Sequence, residues 1–564
     1  MKKVALMFAL IVGLSYSHKI FSCTSFLITK GASTDGSTMI TSNADSHVLY
    51  GELYFTPAAD YPDGSMLDVY EWDTGKYLGK IKQVKHTFSV VGNMNEYQVS
   101  IGETTYTGRE ELQDTTAIVD YGSLMYITLQ RAKTAREAIK IFSELINEYG
   151  YYSTGESISI SDANEVWIFE MIGKGPGNRD AKGNLIKDSY SKGAVWVAIQ
   201  IPDGYISGHA NHSRITTFPF QKKNNFNDPK QTVFNSPDVI SFARKMGYFK
   251  GEDKDFSFSD AYAPIDFEAA RFCEARVWAA FNRVNKDMGK YEQYAMGYDL
   301  KNRMPLYIKP DKKLSVHDVI ELLRDYYQGT KMDMTKDIGA GPFECIVRWR
   351  PLTWEVDSIT YFNERATSTQ QTGFTFVAQG RSWLPGPIGG ILWFGVDDDF
   401  TNVYAPMYCG ITKVPETYAV GNGSMMEFSD NSVFWVFNQV SNFAYTRYNV
   451  IVKDIKPVQL ELETKYLENI PNIDKVAEEL YKKEPKKAIE YITNYSVNTG
   501  NETVKRWKQL YAFLFTKYMD GNIKTAVPGQ KNPKVLQPGY GDAFYRELVK
   551  QTGDKFKVIG VSKY

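Results

Sequence analysis

Residues 23–45 read Cys23-Thr-Ser-Phe-Leu-Ile-Thr-Lys-Gly-Ala-Ser-Thr-Asp-Gly-Ser-Thr-Met-Ile-Thr-Ser-Asn-Ala-Asp45, and this stretch decides the fold. Thr24–Thr29 is rich in β-branched and aromatic residues and predicts a strand. Lys30–Gly36 holds Gly31 and the Asp35-Gly36 pair, a turn signal, and Ser37–Ser42 predicts a second strand. The two form an antiparallel hairpin. A turn centred near Ser33 sets Asn43 opposite Cys23, and a turn centred on Asp35-Gly36 moves the opposing position toward Val48. Asp45 falls inside that window. A carboxylate there would hold an amine on Cys23 by hydrogen bond and charge. A turn cap beside Asn43 and Ser46 accounts for Asp45 equally well.

Upstream, Lys2 and Lys3, the apolar run Val4–Tyr16 and a small, polar finish through Ser22 have the form of a signal peptide. Removal of residues 1–22 would make Cys23 the first residue, with a thiol and a free α-amine on one residue. Ile20 and Ser22 are mediocre positions for direct cleavage. Ser15 and Ser17 fit better, which leaves a propeptide, residues 18–22, for removal by signal peptidase or by autolysis. A lipidated Cys23 is a third route, against which bulky Phe21 counts. An α-amine with a pKa of about 7.7–8.0 is partly neutral near pH 7. The thiol is intrinsically nucleophilic. A terminal cysteine can thus attack an amide and pass its proton to the leaving amine without a histidine.

The 564 residues carry 65 Lys plus Arg against 66 Asp plus Glu, and a net charge of −1 gives no case for nucleic acid as a partner. No later apolar run reaches the roughly 18 residues of a membrane span. The processed chain is expected to be exported, periplasmic or secreted, with no transmembrane segment. Of the four cysteines, Cys273, Cys345 and Cys409 are expected as buried free thiols, and no CxxC pair exists. His209 and His212 stand at i, i+3 without the further ligands that zinc needs. Asp397-Asp398-Asp399 lacks the alternating spacing of a calcium loop and is expected as a solvated turn. Gly173–Gly177 lacks the Lys-Ser/Thr ending of a P-loop. No metal and no cofactor are called for.

Farther along, Tyr126–Tyr149 keeps helical spacing, and Ile158–Ile160, Val166–Met171 and Ala194–Ile201 predict strands. Residues 235–330 read as more helical, with a capping box at Ser315 and Asp318 and a stop at Gly329. Residues 345–453 return to short aromatic strands such as Ile391–Gly395. Val504, Trp507, Tyr511, Leu514 and Tyr518 form a helical stripe ending at Gly521 in a Lys-, Glu- and Tyr-rich tail, which predicts a helical layer on the core.

The opening stretch resembles the mature start of the C69 dipeptidases, N-terminal nucleophile (Ntn) hydrolases related to penicillin V acylase and bile salt hydrolase. Their pattern is Cys-Thr, a strand, Asp-Gly-Ser-Thr and then Arg-Asn-Glu-Asp. This chain has Ser42-Asn43-Ala44-Asp45 there, so the carboxylate is kept while the Arg and Glu are missing. Asn95–Thr105, Val166–Glu170, Pro202–Ile215, Glu274–Trp278, Arg324–Thr330, Trp393–Gly395 and Phe434–Asn442 continue the likeness in order. The resemblance implies an α+β fold, a four-layer αββα sandwich of two antiparallel sheets between helices. It implies a catalytic domain over residues 23–453 and a mainly helical extension over 454–564.

The resemblance further implies a cysteine dipeptidase acting on dipeptides or short peptides through a thioester on Cys23. Asp45 would orient the amine and Asn211 would donate to the oxyanion; a turn asparagine is the other reading of Asn211. Arg276 would be the arginine near the thiolate, against a structural ion pair with Glu274 or Asp266. Glu103 and Thr104 are weaker candidates for the substrate pocket, where a carboxylate would receive a free α-amine. Two rival functions are an amidase or acylase on another amide, of acyl-amino acid or bile-salt type, and a non-enzymatic lipoprotein that binds peptide or glycan. The oligomeric state is open, and a homo-oligomer is compatible with these features.

Overall fold

The computed structural model describes residues 23–178, 180, 185–186 and 189–560. The expected leader, residues 1–22, lies outside the described residues. The opening stretch folds as strand β1 (Ser25–Ile28) and strand β2 (Thr38–Asp45). They pair antiparallel, with Leu27 opposite Ile40, Ile28 opposite Met39, and Thr24 bridged to Asn43. The register centres the turn between Ser33 and Thr34, close to the earlier of the two expected centres, so Ala44 stands opposite Cys23. Asp35 fixes the turn by accepting from the Ser37 N–H (3.0 Å) and Oγ (2.6 Å), and Gly36 takes a left-handed φ of 80° that costs glycine little.

This hairpin sits inside the first of two large antiparallel sheets. That sheet has seven strands in the order Tyr307–Ile308, Ile206–His209, β1, β2, Thr372–Gly380, Gly390–Val396 and Ala405–Tyr408. The second has eight, in the order Val233–Asn235, Ala194–Gln200, Val166–Gly173, Gly155–Ser161, Ser100–Tyr106, Met94–Asn95, Val90–Val91 and Phe55–Thr56. β2 packs against strands Ser100–Tyr106 and Gly155–Ser161 of the second sheet. Gly102 permits the close approach: a Cβ there would stand 3.2 Å from Ser42 Cβ. Strand Val166–Gly173 is buried on both faces. Ile168 and Ile172 join one apolar cluster with Met39, and Trp167, Phe169 and Met171 join another with Ile139 and Phe142 of a helix.

Two helices cover that second face, α1 (Tyr121–Leu129) and α2 (Ala135–Tyr149), where a single helix over Tyr126–Tyr149 was expected. Both bury apolar side chains against the same cluster, so the periodicity runs across the break. The break itself is made by Thr134, whose Oγ1 accepts from the Glu137 N–H at 3.1 Å and starts a new helix. The Ser315–Asp318 capping box forms as expected, though its helix, Val316–Leu323, ends before Gly329. Residues 345–453 need a correction as well. Phe434–Asn442 lies in helix Val433–Thr446, because Val433, Phe437, Val440 and Ala444 keep a 3–4 spacing within an aromatic-rich run that resembles a strand.

The tail is helical. Helix Tyr448–Lys483 runs through the composition shift near residue 454, and helix Pro485–Tyr518 packs on strand Ala405–Tyr408. Trp507 stacks on Phe437 at 4.8 Å and 11° between planes, so the expected stripe is the packed face. The expected solvated turn at Asp397–Asp399 is instead fully buried. Asp397 accepts from Asn438 (3.0 Å) and Ser441 (2.5 Å), Asp398 from Ser368 (2.6 Å) and Tyr445 (2.7 Å), and Asp399 from Tyr404 (2.5 Å) and Asn43. Packing under helix Val433–Thr446 removes water from this turn, and side-chain donors replace it. All four cysteines are free; Cys409 is buried, while Cys273 and Cys345 are only half-buried, contrary to expectation.

Candidate active site

Cys23 precedes β1 and faces a cavity of about 260 Å3. Ser42 and Asp45 from β2, Glu103 and Thr105 from strand Ser100–Tyr106, and Asp73 and Tyr121 line it beside the sulfur. Tyr54, Trp72 and Tyr126 form an aromatic wall, with Trp72 and Tyr126 stacked at 4.6 Å. Cys23 is only 5% exposed, and its Sγ lies 3.7 Å from Glu103 Oε1. Burial, then the Glu103 and Asp45 carboxylates, push the thiol pKa well above its usual value, while the Asp45 backbone N–H on the sulfur pulls the other way. The resting sulfur is therefore a neutral thiol that needs a base.

Asp45 is buried with one donor on each oxygen: Oδ2 accepts from Arg365 Nη2 and Oδ1 from Thr372 Oγ1, each at 2.6 Å. Burial raises its pKa against the pull of these two partners. Arg276 lies under Cys23, with its guanidinium on the backbone and not on the sulfur. Nη1 donates to Cys23 O (2.6 Å) and Thr24 Oγ1 (2.7 Å), Nη2 to Asn211 Oδ1 (2.8 Å) and Ala210 O (3.3 Å), and Nε to Phe272 O (2.8 Å). The ion pair weighed for Arg276 belongs to another arginine: Glu274 pairs with Arg214 at 2.9 Å. Asn211 has a left-handed φ of 57°, which asparagine tolerates, and its Nδ2 donates to Thr105 O at 2.6 Å.

Alternation along strand Ser100–Tyr106 separates the two pocket candidates. Glu103 and Thr105 face the cavity, while Thr104 faces the other sheet, 2.8 Å from His209 Nδ1. Thr104 is thus a core contact, a correction to its expected place in the pocket. The second nitrogen of His209 meets Ser159 Oγ at 2.8 Å, and burial pulls the imidazole pKa down to about 3. Among the described residues, no group of three or more metal-ligating side chains comes together.

Glu103 has an acidic neighbour that the sequence did not single out. Thr105 Oγ1 donates to Glu156 Oε1 at 2.9 Å and reaches Glu103 Oε2 at 3.4 Å. Glu156 hydrogen-bonds Glu103, and its pKa is raised well above the carboxylate range by burial and by the Glu103 charge. Burial lifts Glu103 to about 7, with the bond from Glu156 opposing. Of the two, Glu103 is the first to ionise, and it carries the charge above about pH 7 while Glu156 keeps its proton. Asp73, which accepts from Tyr121 at 3.0 Å, adds a further carboxylate. The cavity thus presents a buried thiol beside an anionic wall.

Peptidase family C69 matches residues 22–461. The chain belongs to that family. Its relatives include a probable dipeptidase of Latilactobacillus sakei, 24% identical over 71% of this chain and 76% of the relative. A probable dipeptidase of Salmonella dublin is 23% identical over 70% of this chain and 82% of its own length. A probable dipeptidase B of Streptococcus pyogenes serotype M1 is 20% identical over 91% and 97%. Within the C69 match, Cys23, Asp45 and Glu103 meet at one cavity, and Asn211 and Arg276 are joined by a hydrogen bond just outside it. Arg365, Glu156, Asp73 and Tyr121 escaped the sequence reading because none stands in a motif. The tie of Arg365 to Asp45 spans 320 residues.

Proposed function

We propose that this C69 chain is an exported cysteine dipeptidase of the N-terminal nucleophile type. The observation that carries the reading is the 3.7 Å separation of Cys23 Sγ and Glu103 Oε1. In a dipeptide the α-amine nitrogen lies only about 2.5 Å from the scissile carbonyl carbon. A carboxylate that holds the α-ammonium must therefore sit almost against the nucleophile. An amidase for acylated amines has no use for a charge there, and a buried anion would repel its apolar acyl group.

In this reading, removal of residues 1–22 frees the amine of Cys23, which takes the thiol proton as Sγ attacks the carbonyl carbon. The C–N bond breaks, the leaving amine collects that proton, and a thioester remains. Water then hydrolyses the thioester and restores the thiol. Asp45, held by Arg365 and Thr372, orients the Cys23 amine. One N–H of Asn211 Nδ2 is engaged by Thr105 O, and its second N–H serves the oxyanion together with a backbone N–H. The two stacked sheets with helices outside them support the four-layer αββα sandwich of the Ntn hydrolases, with the helical tail as an addition.

Mass spectrometry of the purified chain and steady-state hydrolysis of L-alanyl-L-alanine test the reading. It expects Cys23 as an unblocked first residue, full loss of hydrolysis in Cys23→Ala, and strong preference over the N-acetylated dipeptide. An acylated Cys23, or equal hydrolysis of the N-acetylated substrate, would overturn it.

A further inference from the structure

A dipeptide carries a second fixed charge, its C-terminal carboxylate, and the anionic wall of the cavity cannot hold it. The carboxylate carbon follows the scissile carbonyl by three bonds, about 3 to 4 Å in an extended peptide. With the α-ammonium at Glu103 and the carbonyl carbon at Cys23 Sγ, the carboxylate points away from Glu103. Ala44, Asp45, Ser46, Val48 and Leu49 continue the cavity lining on the β2 side.

Three arginines stand behind that side, outside the side chains that line the cavity and joined to it through Cys23, Asp45 and Gln371. All five N–H groups of Arg276 are spent on Cys23 O, Thr24, Ala210 O, Asn211 and Phe272 O. Arg365 is paired with Asp45. Arg350 differs: Nε (3.0 Å) and Nη2 both donate to one neutral acceptor, Gln371 Oε1, and no carboxylate among the described residues pairs with it. Gln371 is anchored to the cavity rim, since its carbonyl accepts from the Ser46 N–H at 2.9 Å and the next residue, Thr372, holds Asp45. Burial and the positive charges of Arg365 and Arg276 pull the Arg350 pKa down to about 10, against the field of Asp45. A half-buried guanidinium crowded by like charge gains from an anion brought to it.

We infer that Arg350, carried on Gln371, is the receptor for the C-terminal carboxylate of the substrate and so limits the substrate to two residues. This rests on the dipeptidase reading. Glu103 and Arg350 would then grip the two ends of the peptide on opposite sides of the sulfur. A third residue would push the carboxylate past Arg350.

The test compares L-alanyl-L-alanine with its C-terminal amide on the same preparations of the wild-type chain and of Arg350→Gln and Arg350→Lys. The ratio of the two kcat/KM values is independent of the folded fraction. The wild type should favour the free carboxylate by at least about tenfold, the loss expected of a bond between charged partners. R350Q should bring the ratio near one, and R350K should retain part of the preference. An unchanged ratio in R350Q, or a wild type that cleaves dipeptide and amide alike, overturns the inference alone. A wild type inactive on both, yet active on an acylated amine, overturns the dipeptidase reading and the inference with it.

Discussion

Glu103→Gln separates binding from stability in a way that a merely structural carboxylate would not. Glu103 is buried, and that burial raises its pKa from the ordinary 4.5 to about 7. In the native state it therefore holds a proton between pH 4.5 and 7 that the unfolded chain has released, so native stability falls as pH rises through that window. The lost stability at pH 8 is on the order of 3 kcal/mol, shared with Glu156. Replacement by the neutral amide should recover up to about that much at pH 8 and nothing at pH 4. In the proposed binding mode the same change removes the charged partner of the substrate α-ammonium. A hydrogen bond to a charged group contributes about 1.5–3 kcal/mol, so kcat/KM for L-alanyl-L-alanine should fall roughly 10- to 150-fold. Hydrolysis of the N-acetylated dipeptide should not fall. The wild-type rate should climb with pH through about 7 as Glu103 ionises, and that limb should vanish in the variant. The Cys23 thiol should also titrate lower in E103Q, because one of the carboxylates raising it is gone. Urea unfolding at pH 4 and 8, pH–rate profiles on both substrates and iodoacetamide kinetics read these quantities. A variant that is stabilised at pH 8 but keeps the full preference for the free amine refutes the role of Glu103 in binding it.

Arg365→Met leaves Asp45 buried with Thr372 as its remaining side-chain partner. Breaking such a pair costs about 3–5 kcal/mol, so the urea midpoint should drop sharply, and an unchanged midpoint would show that the pair carries no structural weight. Thr104→Val leaves His209 Nδ1 unpaired in the core and should cost about 1–3 kcal/mol of stability with kcat/KM essentially kept. Thr105→Val, one residue on, strips a donor from both Glu156 and Glu103. It should lower dipeptide hydrolysis and shift the pH limb near 7 upward; equal kinetic losses for the two threonines would contradict the cavity geometry.

Local signals carried much of this fold. Two β-rich runs with turn residues between them are enough to write the hairpin, because a two-stranded unit depends on neighbouring residues, although its register centres on Ser33 and Thr34 and not on Asp35-Gly36. The Ser315–Asp318 box is legible for the same reason. Reading fails where a local pattern is degenerate. Ile127 and Ala135 point to one apolar cluster from two helices, so periodicity misses the break that Thr134 makes. Asp397–Asp399 looks solvated until helix Val433–Thr446 covers it, and no spacing within the turn records that cover. The site divides in the same way. Cys23 and Asp45 were visible because they sit at fixed offsets in one hairpin. Glu156 and Arg365 reach the site through tertiary contacts alone, and Thr104 was misplaced because choosing between Thr104 and Thr105 requires knowing which face of the strand turns to the cavity.

The departure at Ser42 shows what those long-range contacts accomplish. The resemblance to the C69 dipeptidases leads one to expect an arginine at this position, on the strand beside Cys23. Here Ser42 lines the cavity and donates to Glu103 O at 3.3 Å, which brings no charge to the sulfur. Every guanidinium near Cys23 arrives from elsewhere and is engaged away from the sulfur, since Arg276 fixes the Cys23 backbone and Arg365 neutralises Asp45. Nothing cationic is therefore spent on the thiol, and its pKa is raised by the very carboxylates that suit an incoming ammonium. A resting thiolate would be disfavoured by that arrangement, whereas the proposed amine base on the same residue suits it, because the thiol would lose its proton only as the bond to carbon forms. In the proposed mechanism the anionic wall would act twice, drawing in the charged end of the substrate and keeping the nucleophile protonated until that substrate is seated.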